Sequence, residues 1–139
     1  MRTLPFAMRR LDLRTERKTQ LLDITAEVRR ALEDQTGQAA VVFVPHTTAG
    51  IVLQASGEGA TQVAVDLEAA LRRIVDEEWK WKHTGEGDRN PWAHVRAALT
   101  ASSVTIPLED GKLALGDLQR IFFCEFDGPR KRQVYLAVT

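Results

Sequence analysis

The sequence predicts an α+β fold, a compact single domain with a largely antiparallel β-sheet or sandwich and three packed helices. Three observations lead there. Two amphipathic stripes and an Asn-Pro helix start supply the helices, and short β-branched or apolar runs set off by turn signals supply the strands. The two kinds of segment are interleaved without the regular β-α-β alternation of a parallel sheet. At 139 residues the chain fits one domain, 1–139, long enough to bury about two thirds of the surface its unfolded form exposes.

Phe6, Met8, Leu11 and Leu13 alternate with arginines and Asp12, which reads as an opening strand with one solvated face. Leu21, Ile24, Val28, Ala31 and Leu32 then recur at spacings of three and four, a helical stripe with Asp23 or Thr25 as cap and Gly37 beyond its end. Residues 39–44 read as a buried strand and 51–53 as a second, the two forming a central pair. Pro45, His46, Thr47, Thr48, Ala49 and Gly50 lie between them. Pro45 ends regular pairing, and Gly50 permits a backbone conformation that a Cβ would resist.

A cleaner stripe of Val63, Leu67, Ala70, Leu71 and Ile74 predicts a helix over about 61–76, with Arg72 and Arg73 suited to its C-terminal dipole. Residues 77–89, holding Trp79, Trp81 and His83, read as a long loop of the kind that carries function. Asn90-Pro91 starts a third helix running to about Thr100, with Trp92, Val95 and Leu99 on its buried side. Runs 103–107 and 112–115 flank an Asp-Gly hairpin turn, residues 116–120 are a polar connector into the strand 121–126, and 133–138 alternate as a closing strand.

The 19 basic and 19 acidic side chains cancel, so no global field draws the chain to nucleic acid or an anionic membrane. The single cysteine, Cys124, lies in an apolar run and reads as a small buried residue. With no partner for a disulfide, no signal-peptide core and no run of eighteen apolar residues, the expectation is a soluble cytoplasmic protein.

Chemistry is concentrated in three histidines, His46, His83 and His94, each beside a turn or helix start. Neutral imidazole binds metal or moves protons near neutral pH, and protonated imidazole holds phosphate. His94 lies one turn into a helix whose free amides favour an anion, with Asn90 alongside. Thr47 and Thr48 either orient a substrate or satisfy the turn. Gln119, Arg120, Glu125 and Arg130 are polar groups at or within an apolar strand, and a buried Glu125 needs a partner such as Arg120, Arg130 or a histidine.

The run FVPHTTAGI, the Asn-x-x-Ala-His of residues 90–94, and GKLALG followed by QRIF and CEFDGPR resemble the YjbQ-like family across about residues 6–138. That resemblance implies a compact α+β fold assembled as a homotrimer. It also implies a thiamine-phosphate synthase activity, joining hydroxymethylpyrimidine diphosphate to a thiazole phosphate. By the same resemblance His46, His83 and His94 match the family's motif histidines; they are the expected catalytic residues and candidate ligands of a divalent metal, Mg or Zn, with His46 and His83 binding metal or assisting proton transfer and His94 binding phosphate. Thr47, Thr48, Asn90, Gln119, Arg120, Glu125 and Arg130 would bind the phosphorylated small-molecule substrate. The alternatives are a three-histidine zinc-type hydrolase or a non-catalytic phosphometabolite-binding protein. The chain departs from the family pattern at Ala55, where a glutamate is usual, with Glu58 as the nearby carboxylate, and at Leu118, where tryptophan is usual.

Overall fold

A computed structural model describes residues 8–57, 59–60, 62–84 and 90–139. Phe6, Glu58, Thr61 and residues 85–89 of the expected loop lie outside the described residues. The strands are β1 (Arg9–Arg14), β2 (Gln20–Asp23), β3 (Ala39–Phe43), β4 (Ala49–Ala55), β5 (Ser103–Glu109), β6 (Lys112–Leu113), β7 (Gln119–Glu125) and β8 (Lys131–Val138). The helices are α1 (Thr25–Leu32), α2 (Val63–Ile74) and α3 (Trp92–Leu99).

Two sheets form, a five-stranded one in the order β1-β8-β3-β5-β6 and a three-stranded one in the order β2-β7-β4. Their pairings are antiparallel. The α+β expectation therefore holds. The main core lies between the sheets, where Val42, Ile106, Val134 and Leu136 of the larger sheet meet Ile51, Ile121 and Phe123 of the smaller and Ile24 and Val28 of the α1 segment. A second cluster on the outer face of the small sheet joins Cys124 and Phe126 to Leu71 of α2 and Ala93 of α3. β7 is central in its sheet and covered on both faces, which is why its sequence is a continuous apolar run instead of an alternation.

The expected central pair is corrected: β3 and β4 belong to different sheets, so residues 44–48 cross from one to the other. Leu21 is also corrected, since it lies in β2, paired with Cys124, instead of in the first helix. Asp23 does serve the helix start, accepting from the Thr25 amide at 3.0 Å and the Thr25 hydroxyl at 2.6 Å. Residues 119 and 120 are strand, not connector. The Asp-Gly hairpin is as expected, with φ 52° at Asp110 and 76° at Gly111, the double left-handed conformation that a two-residue hairpin needs.

Gly50 is not in a left-handed conformation; its constraint is space. A Cβ there would lie 1.8 Å from Thr100 Oγ1 and 3.0 Å from the Ala101 carbonyl oxygen. Both later helices bury less than their stripes predict. In α2 only Leu71 is buried and Ile74 is exposed. In α3 Val95 and Leu99 face outward, while Ala93 and Arg96 are the buried residues. The Arg96 guanidinium donates to the Val75 carbonyl at 2.8 Å, so its stem fills space that an aliphatic side chain was expected to fill.

Candidate functional site

Where the chain crosses between sheets it borders a cleft of about 810 Å³, lined by His46, Thr47 and Thr48 together with His83, His94, Ser102, Asp127, Arg130 and Arg132. Three imidazoles that are far apart in sequence thus share one concavity. His83 and His94 are the closest pair, with ring centroids 5.1 Å apart and planes at 63°.

His46 is held by the backbone of β8: its Nε2 accepts the Gln133 amide at 2.9 Å. A nitrogen that accepts carries no proton, so the neutral ring bears its hydrogen on Nδ1 and acts as a donor. Burial, then the Arg132 charge, hold His46 below the ordinary 6.5, outweighing the opposing pull of Glu125. It is therefore a neutral imidazole near pH 7.

Behind the cleft lies a buried ionic cluster. Glu125 and Arg132 face each other across the two sheets at the end of the core, with 0% and 6% of their surfaces exposed. Arg132 Nε donates to Glu125 Oε1 at 2.8 Å, and Arg132 Nη2 donates to Glu125 Oε2 and, at 2.8 Å, to the Thr48 hydroxyl. Thr15 Oγ1 donates to Oε1 at 2.7 Å and the Asp127 amide to Oε2 at 3.0 Å. Both carboxylate oxygens are thereby satisfied, as a buried charge requires. Glu125 is a buried support of the cleft and does not line it. Its partner is Arg132, not the Arg120, Arg130 or histidine expected from sequence.

Asp127 sits at the cleft wall, accepting from Asn90 Nδ2 through Oδ1 and from Arg130 Nη2 through Oδ2 at 2.7 Å. Asn90 is consequently not a side-chain helix cap; it ties the start of α3, and with it His94, to the turn after β7. Arg130 lines the cleft as expected. Gln119 and Arg120 do not: they occupy the far end of β7, six and five residues from Glu125, roughly 16–20 Å of strand at ~3.3 Å per residue. There Gln119 accepts the Gly116 amide and Arg120 pairs with Asp23 at 2.9 Å.

Arg132 and Asp127 were missed by sequence reasoning. Arg132 continues the inward parity of Val134, Leu136 and Val138, a signal that was present but read as starting one residue later. Cys124 is buried and its thiol is pushed up to about 12 by burial, so it takes no part as a nucleophile.

Among the described residues no group of three His, Cys, Asp or Glu side chains is arranged to hold a metal ion. The His46 lone pair is moreover engaged by Gln133. A three-imidazole metal centre does not fit this arrangement. Nor, among the described residues, is any helix long and apolar enough to cross a membrane.

Residues 9–139 match the family model described as "UPF0047 protein YjbQ-like". The chain is similar to a UPF0047 protein of Archaeoglobus fulgidus, 40% identical over 124 residues, covering 89% of this chain and 94% of that one. It is 36% identical over 137 residues to UPF0047 protein YugU of Bacillus subtilis, covering 94% and 98%. Among solved structures, a YbjQ-like protein of unknown function from Sulfolobus solfataricus superposes with TM-score 0.86 at 28% identity, covering 96% of both chains. An uncharacterised YjbQ/UPF0047 protein from Clostridium acetobutylicum gives TM-score 0.83 at 39% identity, covering 93% of this chain and 98% of that one. These names correct one expectation. None of these relatives is named for the thiamine-phosphate synthase activity implied by resemblance; they are named by family alone or as of unknown function, so the family alone is supported.

Proposed function

The chain belongs to the YjbQ-like UPF0047 family, and we propose that its histidine-lined cleft binds a phosphorylated small molecule and performs acid–base chemistry on it. The observation that supports this is the meeting of His46, His83 and His94 with Arg130 and Arg132 at one concavity.

In this reading His46, neutral and held by Gln133, offers its Nδ1 hydrogen to a substrate oxygen. His83 and His94, with ring centroids 5.1 Å apart, lie close enough to act together on one bound group. The bonds of Arg130 and Arg132 among the described residues run through their backbone amides, Nε and Nη2. Each Nη1 is left to meet anionic oxygens. Thr47 is exposed to the ligand, whereas Thr48 acts indirectly by orienting Arg132.

The test is turnover of a panel of phosphorylated small molecules by the wild type and by His46→Ala and His94→Ala. Each substitution should lower turnover about 100-fold or more while leaving the far-ultraviolet circular dichroism unchanged; wild-type rates in both variants would sink the proposal. Stoichiometric Mg or Zn, lost together with activity on chelation, would instead assign His83 and His94 to a cation. For the assembly we propose a homotrimer. The exposed Val65, Ile74, Trp79, Val95 and Leu99 give α2, α3 and the segment between them apolar surface that self-association would cover. A monomeric mass by light scattering would remove this reading.

A further inference from the structure

A second, smaller recess of about 280 Å³ lies away from the histidines, between the β1–β2 loop and α2, and is lined by Arg17, Lys18, Thr19, Glu68, Arg72 and Glu77. Its charges are unevenly matched. Glu68 Oε1 is shared by Arg17 Nη1 at 3.4 Å and Arg72 Nη2 at 3.5 Å. Glu77 Oε1 is shared by Lys18 Nζ at 2.7 Å and by the buried Arg96 Nη1 at 3.8 Å. Four cations therefore converge on two carboxylate oxygens, and only the lysine contact is tight. A third carboxylate, Asp76, reaches Arg96 by its field but uses Oδ1 to accept the Glu78 amide at 2.9 Å.

Unused donors accompany this excess of positive charge. Thr19, 8% exposed, lines the recess, and its Oγ1 has no hydrogen-bond partner among the described residues; nor do Nε and Nη1 of Arg96 behind Glu77. A buried hydroxyl left without a partner costs about 1–3 kcal/mol, and clustered cations repel one another. Both penalties are relieved by one event, entry of a multiply charged acceptor that the two arginines can grip through planar N–H pairs.

We propose that this recess binds a compact tetrahedral oxyanion, a phosphate or sulfate group, as a site separate from the histidine cleft. Arg17 and Arg72 hold the anion, the Thr19 hydroxyl donates to it, and Glu68 and Glu77 set the distance between the cations. A monovalent planar carboxylate satisfies fewer of these donors and binds more weakly.

The experiment follows the backbone amide resonances of Arg17, Lys18 and Thr19 while inorganic phosphate, sulfate or acetate is titrated at constant ionic strength. Saturable shifts with phosphate or sulfate are expected at about 1 mM or tighter, with acetate at least tenfold weaker. Arg17→Ala/Arg72→Ala, which removes two side chains that are 59% and 55% exposed and so should fold, weakens phosphate tenfold or more. His94→Ala leaves these shifts unchanged. A parallel titration with O-phosphoserine separates sources: tighter binding than inorganic phosphate points to an organic phosphate, equal binding to the free ion. Shifts that never saturate, acetate binding as well as phosphate, or a double variant that titrates like the wild type would each overturn the site.

Discussion

His46 shows how one backbone contact fixes the chemistry of a side chain. Its folded-state pKa lies below 6.5 because burial and Arg132 disfavour the cation. As pH falls below the unfolded value, the unfolded chain takes up a proton that the native chain resists, so His46 contributes stability above about pH 6.5 that is lost on acidification through its folded pKa. Denaturant midpoints measured between pH 5 and 8 should therefore fall more steeply on the acid side for the wild type than for His46→Gln; identical slopes would contradict the assignment. Glu125 and Arg132 allow a sharper test. Glu125→Ala strands a buried guanidinium and should cost about 3–5 kcal/mol in urea unfolding, whereas Glu125→Leu/Arg132→Met should recover most of that loss. The sequence showed that Glu125 needed a partner but not which one, because the answer depends on two sheets meeting face to face, which strand periodicity does not encode.

At the level of elements, β3, β7, β8 and the Asp-Gly hairpin were legible because local pattern and local structure coincide there. The helix faces were not. Periodicity in α2 and α3 located the helices but misassigned what they bury, since Val95 and Leu99 are apolar and exposed while Arg96 is charged and buried. The crossing from β3 to β4 was also misread, because two neighbouring apolar runs look the same whether they pair or part. Gly50 marks that crossing physically. Gly50→Ala places a methyl against Thr100 Oγ1 and the Ala101 carbonyl, next to the Ile51–Ala101 bridge, and should destabilise the fold by about 1–3 kcal/mol. Thr100→Ala in the same chain should return part of the loss, as measured by thermal unfolding; no relief would mean that the carbonyl contact dominates.

Across the whole molecule, the histidine cleft lies where the two sheets are bridged, and its parts come from the β3–β4 crossing, the segment before α3, α3 itself and the turn after β7. Sequence reading found the three imidazoles by residue type and position. The resemblance placed Gln119 and Arg120 in the same pocket as Glu125, and an extended strand carries such sequence neighbours apart instead of together. Motif proximity is thus a poor guide within strands and a better one around turns.

One consequence follows from the position of β7, flanked by β2 and β4 and enclosed on both sides. Amides of residues 121–124 should exchange with deuterium only through complete unfolding, while those of α2, anchored by a single buried leucine, should exchange through smaller openings. Occupancy of the histidine cleft would then leave the protection of β7 nearly unchanged relative to global stability and register instead around residues 45–48, 83–84 and 90–94. The strand behind the cleft is a fixed reference against which motion of the cleft's rim can be timed.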